Sequence, residues 1–114
     1  MNRDRDFLLD IVELIETIRR HQPGSEEEFA GDEVLLTATV HWVQTIGEAA
    51  NAVSDATRRS HPEVPWRQVI DMRNLLAHGY RYVSPSIVWQ VVVRDLPVLQ
   101  AQMRSVLEQL PDGD

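Results

Sequence analysis

The sequence predicts an all-α protein, and three observations carry that prediction. Apolar residues recur at spacings of three and four along its longer stretches, the period of a helix that buries one side. Serines, aspartates, prolines and glycines fall between those stretches, where helices start and stop. The one run that could form a strand has no second run to pair with, and an unpaired strand is not stable in water.

The first helix is set by Phe7, Leu8, Ile11, Leu14, Ile15 and Ile18, and it ends near His21-Gln22-Pro23-Gly24. Ser25 to Glu28 has the form of a capping box and begins a short acidic turn of helix that stops by Gly31; Asp32 can cap the next start. From about Val34 to Arg59 the spacing predicts the longest helix, with Leu35, Ala38, Trp42, Ile46, Ala49 and Val53 as its stripe. Gly47 lies in the middle of it. A glycine there costs about 1 kcal/mol against alanine, so either another element packs closely against it or the helix simply tolerates it; both readings fit the sequence.

Ser60 to Pro65 is a proline-rich connection, and Pro65 stands where the first residue of a helix would, which predicts a helix from Trp66 to about Ala77, ended by Gly79. Ser84 and Pro85 repeat the cap-and-proline signal ahead of Ile87-Val88-Trp89-Gln90-Val91-Val92-Val93. Its β-branched residues favour a strand by propensity, but with no partner strand the run reads as helix. Leu96, Leu99, Met103, Val106, Leu107 and Leu110 define the last helix, with Asp95 as its expected cap and Pro97 in its first turn. No repeat or linker divides the chain, so residues 1–114 are expected to form one domain.

There is no cysteine, which excludes disulfides and thiolate metal sites and fits a reducing compartment. The charged N-terminus lacks the apolar segment of a signal peptide, and no stretch is long enough to cross a bilayer, so a cytoplasmic protein without a membrane partner is expected. The net charge of −7, from 11 basic and 18 acidic residues, argues against a polyanion as partner. Its distribution changes that inference. Between Arg58 and Arg81, five arginines (58, 59, 67, 73 and 81) meet only Glu63 and Asp71, a local charge of +3 on an otherwise acidic body. Every basic residue is arginine, the side chain suited to forked contacts with phosphate, although base composition of the gene accounts for missing lysines equally well.

Arg73-Asn74-Leu75-Leu76-Ala77-His78-Gly79-Tyr80 concentrates a cation, an amide, an imidazole and a phenol where a helix runs out. On an ideal helix Arg73 and His78 point about 140° apart, while Asn74 and His78 share a face. Either the helix ends near His78 or a second copy of the chain completes the group. From spacing alone, His78 beside Gly79 also fits a plain helix cap, and Arg73 a surface ion pair. His21, His41 and His61 show no spacing that suggests a shared metal, and Trp42, Trp66 and Trp89 fall on apolar stripes or helix starts, as core or interface residues do.

Arg73, four intervening residues, His78 and then Tyr80 resemble the signature of the HEPN ribonuclease superfamily in its HepT form. Ile46-Gly47-Glu48-Ala49, His61-Pro62-Glu63-Val64-Pro65-Trp66, Val88-Trp89 and Asp95-Leu96-Pro97 stand in the order and approximate spacing of that family, and the resemblance runs from about Phe7 to Leu110. Arg81 and Asp71 depart from it, standing where aromatic and small residues are common.

The resemblance implies a HEPN-type up-and-down bundle of four to six helices that forms a homodimer. It implies RNA as the substrate of a metal-independent endoribonuclease with no cofactor, in which a ribose 2′-OH attacks its adjacent phosphate. His78 would serve as general base or acid, Arg73 would hold the phosphate, and Asn74 would orient them. No cluster of carboxylates accompanies the motif, as a two-metal nuclease would require. The resemblance further implies the toxin of a type VII toxin–antitoxin pair, silenced when an MntA-like nucleotidyltransferase antitoxin attaches AMP to Tyr80, with Tyr82 a neighbouring acceptor. A second reading is a non-catalytic subunit that binds substrate for such a nucleotidyltransferase; the presence of both Arg73 and His78 favours the enzyme.

Overall fold

The computed structural model describes residues 3–74 and 84–111, and the regular structure within them is helical. Helix α1 (Asp4–Arg20) buries Leu8, Ile11, Ile15 and Ile18 on one side, the stripe that its spacing predicts. That side packs between α3 (Glu33–Ala52) and α7 (Leu96–Gln109), which supply Val43, Ile46, Met103 and Val106 to the same core. No helix among the described residues is long and apolar enough to cross a membrane.

The caps at Ser25 and Asp32 form as the sequence predicts. Ser25 Oγ accepts the Glu28 amide at 3.1 Å and opens α2 (Glu26–Ala30), while the Glu28 carboxylate accepts the Gly24 amide at 3.3 Å and closes the box one residue early. Phe29 on α2 is buried against Trp89, with ring centroids 5.5 Å apart. Asp32 accepts the Leu35 amide at 3.0 Å and starts α3.

Three expectations are corrected. The helix predicted from Val34 to Arg59 is two helices: α3 ends at Ala52, Val53 turns extended, and α4 (Asp55–Ser60) begins afresh. The cause is Ser54, which caps the Thr57 amide at 3.3 Å and donates its own amide and hydroxyl to the buried Asp4 carboxylate at 2.9 and 2.7 Å. The Thr57 hydroxyl donates to the same carboxylate, so three donors tie the start of α1 to the start of α4.

The buried side of α3 is also rotated from the expected stripe. Thr39, Val40, Val43, Ile46, Gly47 and Ala50 are buried with Val53, whereas Leu35, Ala38, Trp42 and Ala49 are half-buried. This helix is apolar on more than one side because it packs against α1 and against the segment after residue 65, and the true centre lies between the two contacts.

Asp95, thirdly, caps nothing. The chain stays helical from α6 (Pro85–Gln90) through a widened π-helical turn (Val91–Asp95) into α7, and Asp95 pairs instead with Arg94 at 3.4 Å. The Leu96 amide reaches back five residues to the Val91 carbonyl. Pro97 follows directly; it has no N–H to donate and its ring crowds the carbonyl four residues earlier, so the widened turn lets the helix pass a proline without ending.

A buried polar group helps to join α1 and α7. Gln100, buried in α7, accepts from Arg19 at 2.6 Å and donates to the Val12 carbonyl at 3.3 Å and to Glu16 at 3.1 Å. Every polar atom of that side chain has a partner, which keeps it from being a liability in the core.

Candidate functional site

Helix α5 (Trp66–Asp71) and the 3-10 turn that continues it (Met72–Asn74) carry the first half of the predicted motif. Pro65 caps α5 one residue ahead of its predicted place, and Trp66 is anchored by an indole N–H donated to the His61 carbonyl at 2.9 Å. The helix tightens at Met72, whose amide bonds to the Val69 carbonyl three residues back. Arg73 and Asn74 lie side by side on this turn, both exposed. His78, Tyr80 and Tyr82 lie outside the described residues.

What holds the turn is Gly47. A Cβ on that residue would fall 3.0 Å from the carbonyl oxygens of Val69 and Ile70, and nearer still to the Arg73 amide nitrogen. The backbone of residues 69–73 therefore presses directly on α3, and of the two readings that the sequence left open, close packing is the one found.

Arg73 stands on the rim of a cleft of about 660 Å³ lined by Asp55, Arg58, Arg59, Trp66, Arg67, Ile70 and Asp71. Four arginines to two aspartates make it basic on a chain whose carboxylates outnumber its arginines, 18 to 11. Arg58 is three-quarters buried, shares an ion pair with Asp55, and keeps a buried Nε with no acceptor. Arg59, Arg67 and Arg73 make no hydrogen bond or ion pair among the described residues. Each of the other described arginines has a partner: Arg3 has Asp6, Arg5 the carbonyls of Leu110 and Pro111, Arg19 Gln100, Arg20 Thr17, Arg94 Asp95, and Arg104 Glu16. Among the described residues the unpartnered arginines thus all line one cleft.

Chemically, such a cleft suits a polyanion. Planar guanidinium groups offer several N–H donors each, and those without an internal partner are available to phosphate oxygens. Among the described residues no group of three His, Cys, Asp or Glu side chains is placed to hold a metal ion.

The family model described as Ribonuclease HepT-like matches residues 9–106, nearly the whole chain. The chain belongs to the HepT-like ribonuclease family. Two of its curated relatives carry provisional names: an RNase of Caldanaerobacter subterraneus subsp. tengcongensis, 32% identical over 95% of this chain and 97% of its own, and a ribonuclease HepT of Thermococcus cleftensis, 33% identical over 90% and 94%. A third, from Methanocaldococcus jannaschii and provisionally named an RNase, is 27% identical over 88% of this chain and 93% of its own. No solved structure matches significantly.

For a HepT-like ribonuclease the arginine cleft is the feature that reading the motif alone leaves out. The run of five arginines signalled a positive patch, but ion pairing depends on tertiary neighbours, and spacing could not tell which arginines would be left without one.

Proposed function

We propose that this chain is the toxin of a toxin–antitoxin pair, a metal-independent endoribonuclease of the cytosol that works as a homodimer. Arg73 carries the reading: it is exposed, without a partner among the described residues and backed by Gly47 at the edge of a basic cleft, in a chain of a ribonuclease family. In the reaction His78 removes the proton from a ribose 2′-OH, whose oxygen bonds to the adjacent phosphorus as the bond to the 5′-oxygen of the next nucleotide breaks. That leaving oxygen takes up a proton from the protonated imidazole, so one histidine serves both ends of the transfer. Arg73 pairs with the phosphate and offsets the charge that develops on it, and Asn74 orients the two groups. The products are a 2′,3′-cyclic phosphate and a 5′-hydroxyl.

Pairing two copies would let an interface bring Arg73 and His78 together, which point about 140° apart on an ideal continuous helix. Control falls to Tyr80. An MntA-like nucleotidyltransferase transfers AMP from ATP to its hydroxyl, releasing pyrophosphate, and the added phosphodiester brings about one negative charge to the place where an RNA phosphate must sit. The deciding experiment is a cleavage assay on total RNA with EDTA present, comparing wild type with His78→Ala. Cleavage by wild type alone supports the reading, and equal cleavage by both, or by neither, ends it.

A further inference from the structure

We infer that Arg59 and Arg67 form a second phosphate subsite that seats the RNA strand beside the bond to be cut. This rests on the ribonuclease reading, and extends it from the reacting phosphate to its neighbours along the strand.

Arg59 closes α4 and Arg67 opens α5, so the connection from His61 to Pro65 brings the two guanidinium groups to one cleft. Both ends of that connection are anchored. His61 is buried and its carbonyl accepts the Trp66 indole, while the Asp4 carboxylate holds Ser54 and Thr57 at the start of α4. Two cations on fixed supports, with no partner among the described residues, break no ion pair there when they bind an anion, whereas an arginine taken from an ion pair must first give up its carboxylate. Arg58 is such a case, held by Asp55, and it contributes positive field rather than a free fork.

Arg73 shares the lining, which makes the subsite continuous with the proposed reacting position. The volume of about 660 Å³ lies within the range of roughly 300–1,000 Å³ that seats small ligands, room for a short piece of one strand. Trp66 does not serve as a stacking platform here, since it is nine-tenths buried and its indole N–H is spent on His61. The subsite therefore holds backbone and not bases, and it discriminates little between sequences.

The test is RNA binding by the uncut complex. His78→Ala protein is titrated with a fluorescein-labelled single-stranded RNA of mixed sequence, by anisotropy, at several salt concentrations, with and without Arg59→Ala and Arg67→Ala together. Loss of two phosphate contacts lowers the salt slope by about 1.4, so between 50 and 200 mM salt the double variant should lose roughly sevenfold less affinity than its parent. Arg59→Lys with Arg67→Lys should keep most of the slope, and Arg20→Ala with Arg104→Ala, which removes the same charge elsewhere, should keep all of it. In active protein the alanine pair should raise KM with kcat little changed. An unchanged slope in the alanine pair, or an equal fall with Arg20→Ala and Arg104→Ala, overturns the subsite while RNA cleavage stands. Unchanged RNA binding together with lost binding of the nucleotidyltransferase would assign the cleft to the protein partner instead. No RNA binding by the parent at low salt would defeat the ribonuclease reading itself.

Discussion

Gly47 on α3 and Arg73 on the turn after α5 meet backbone to backbone, with no room for a side chain between them. The atoms that an added methyl would strike are main-chain carbonyls and an amide, which cannot swing aside as a flexible side chain would. The position of Arg73 is thereby set by a residue that takes no part in chemistry.

Gly47→Ala measures that dependence. Alanine raises helix propensity by about 1 kcal/mol, yet overpacking against fixed backbone costs about 1–3 kcal/mol, so the clash should win and the protein should lose stability. RNA cleavage should fall further than the folded fraction does, because the turn bearing Arg73 is displaced. Urea unfolding alongside cleavage rates separates the two effects; a variant that is both more stable and fully active would show that the close approach is dispensable.

Arg73→Ala should leave the fold intact. The side chain is exposed and has no partner among the described residues, and such substitutions change stability by no more than about 0.5 kcal/mol. Cleavage should nevertheless be abolished, as it should in His78→Ala. Circular dichroism showing native helix content beside an inactive enzyme is the expected pair of results, and unchanged cleavage in either variant would defeat the mechanism.

Asp4→Ala should be costly for a residue so near the start of the chain. It strips the acceptor from the Ser54 amide and from two hydroxyls at the beginning of α4, in a buried setting where each unsatisfied donor costs about 1–3 kcal/mol. Hydroxyls can turn to other acceptors, so the net loss should lie near 2–4 kcal/mol. Thermal melting provides the measure, with a substantial fall in Tm expected.

Tyr80→Phe keeps the ring and removes the oxygen that would accept AMP. Co-expressed with the nucleotidyltransferase and ATP, wild type should gain the mass of AMP and lose ribonuclease activity, whereas the variant should stay unmodified and toxic. Intact-protein mass spectrometry distinguishes the cases. Equal modification of the variant would move the acceptor elsewhere, with Tyr82 first in line.

Most of the helices could be read from the chain because their causes are local. Ser25 and Asp32 cap within three residues of themselves, and the stripe of α1 depends only on its own period. The break at Ser54 depends on Asp4, fifty residues earlier, and no window along the sequence contains both. Asp95 has the right chemistry for a cap and the wrong surroundings, since the widened turn carries the helix past it. At the site, the arginine run was legible as a positive patch, but which arginines lack partners among the described residues follows from where the carboxylates land in space.

The buried Gln100 ties α7 to α1, and this has a consequence for how the protein comes into being. Helix α1 leaves the ribosome before α7 and leans on it, so Ile11 and Ile15 cannot be fully covered until the residues after Leu96 have been made. Each nascent chain keeps that side of α1 unfinished until α7 has been made.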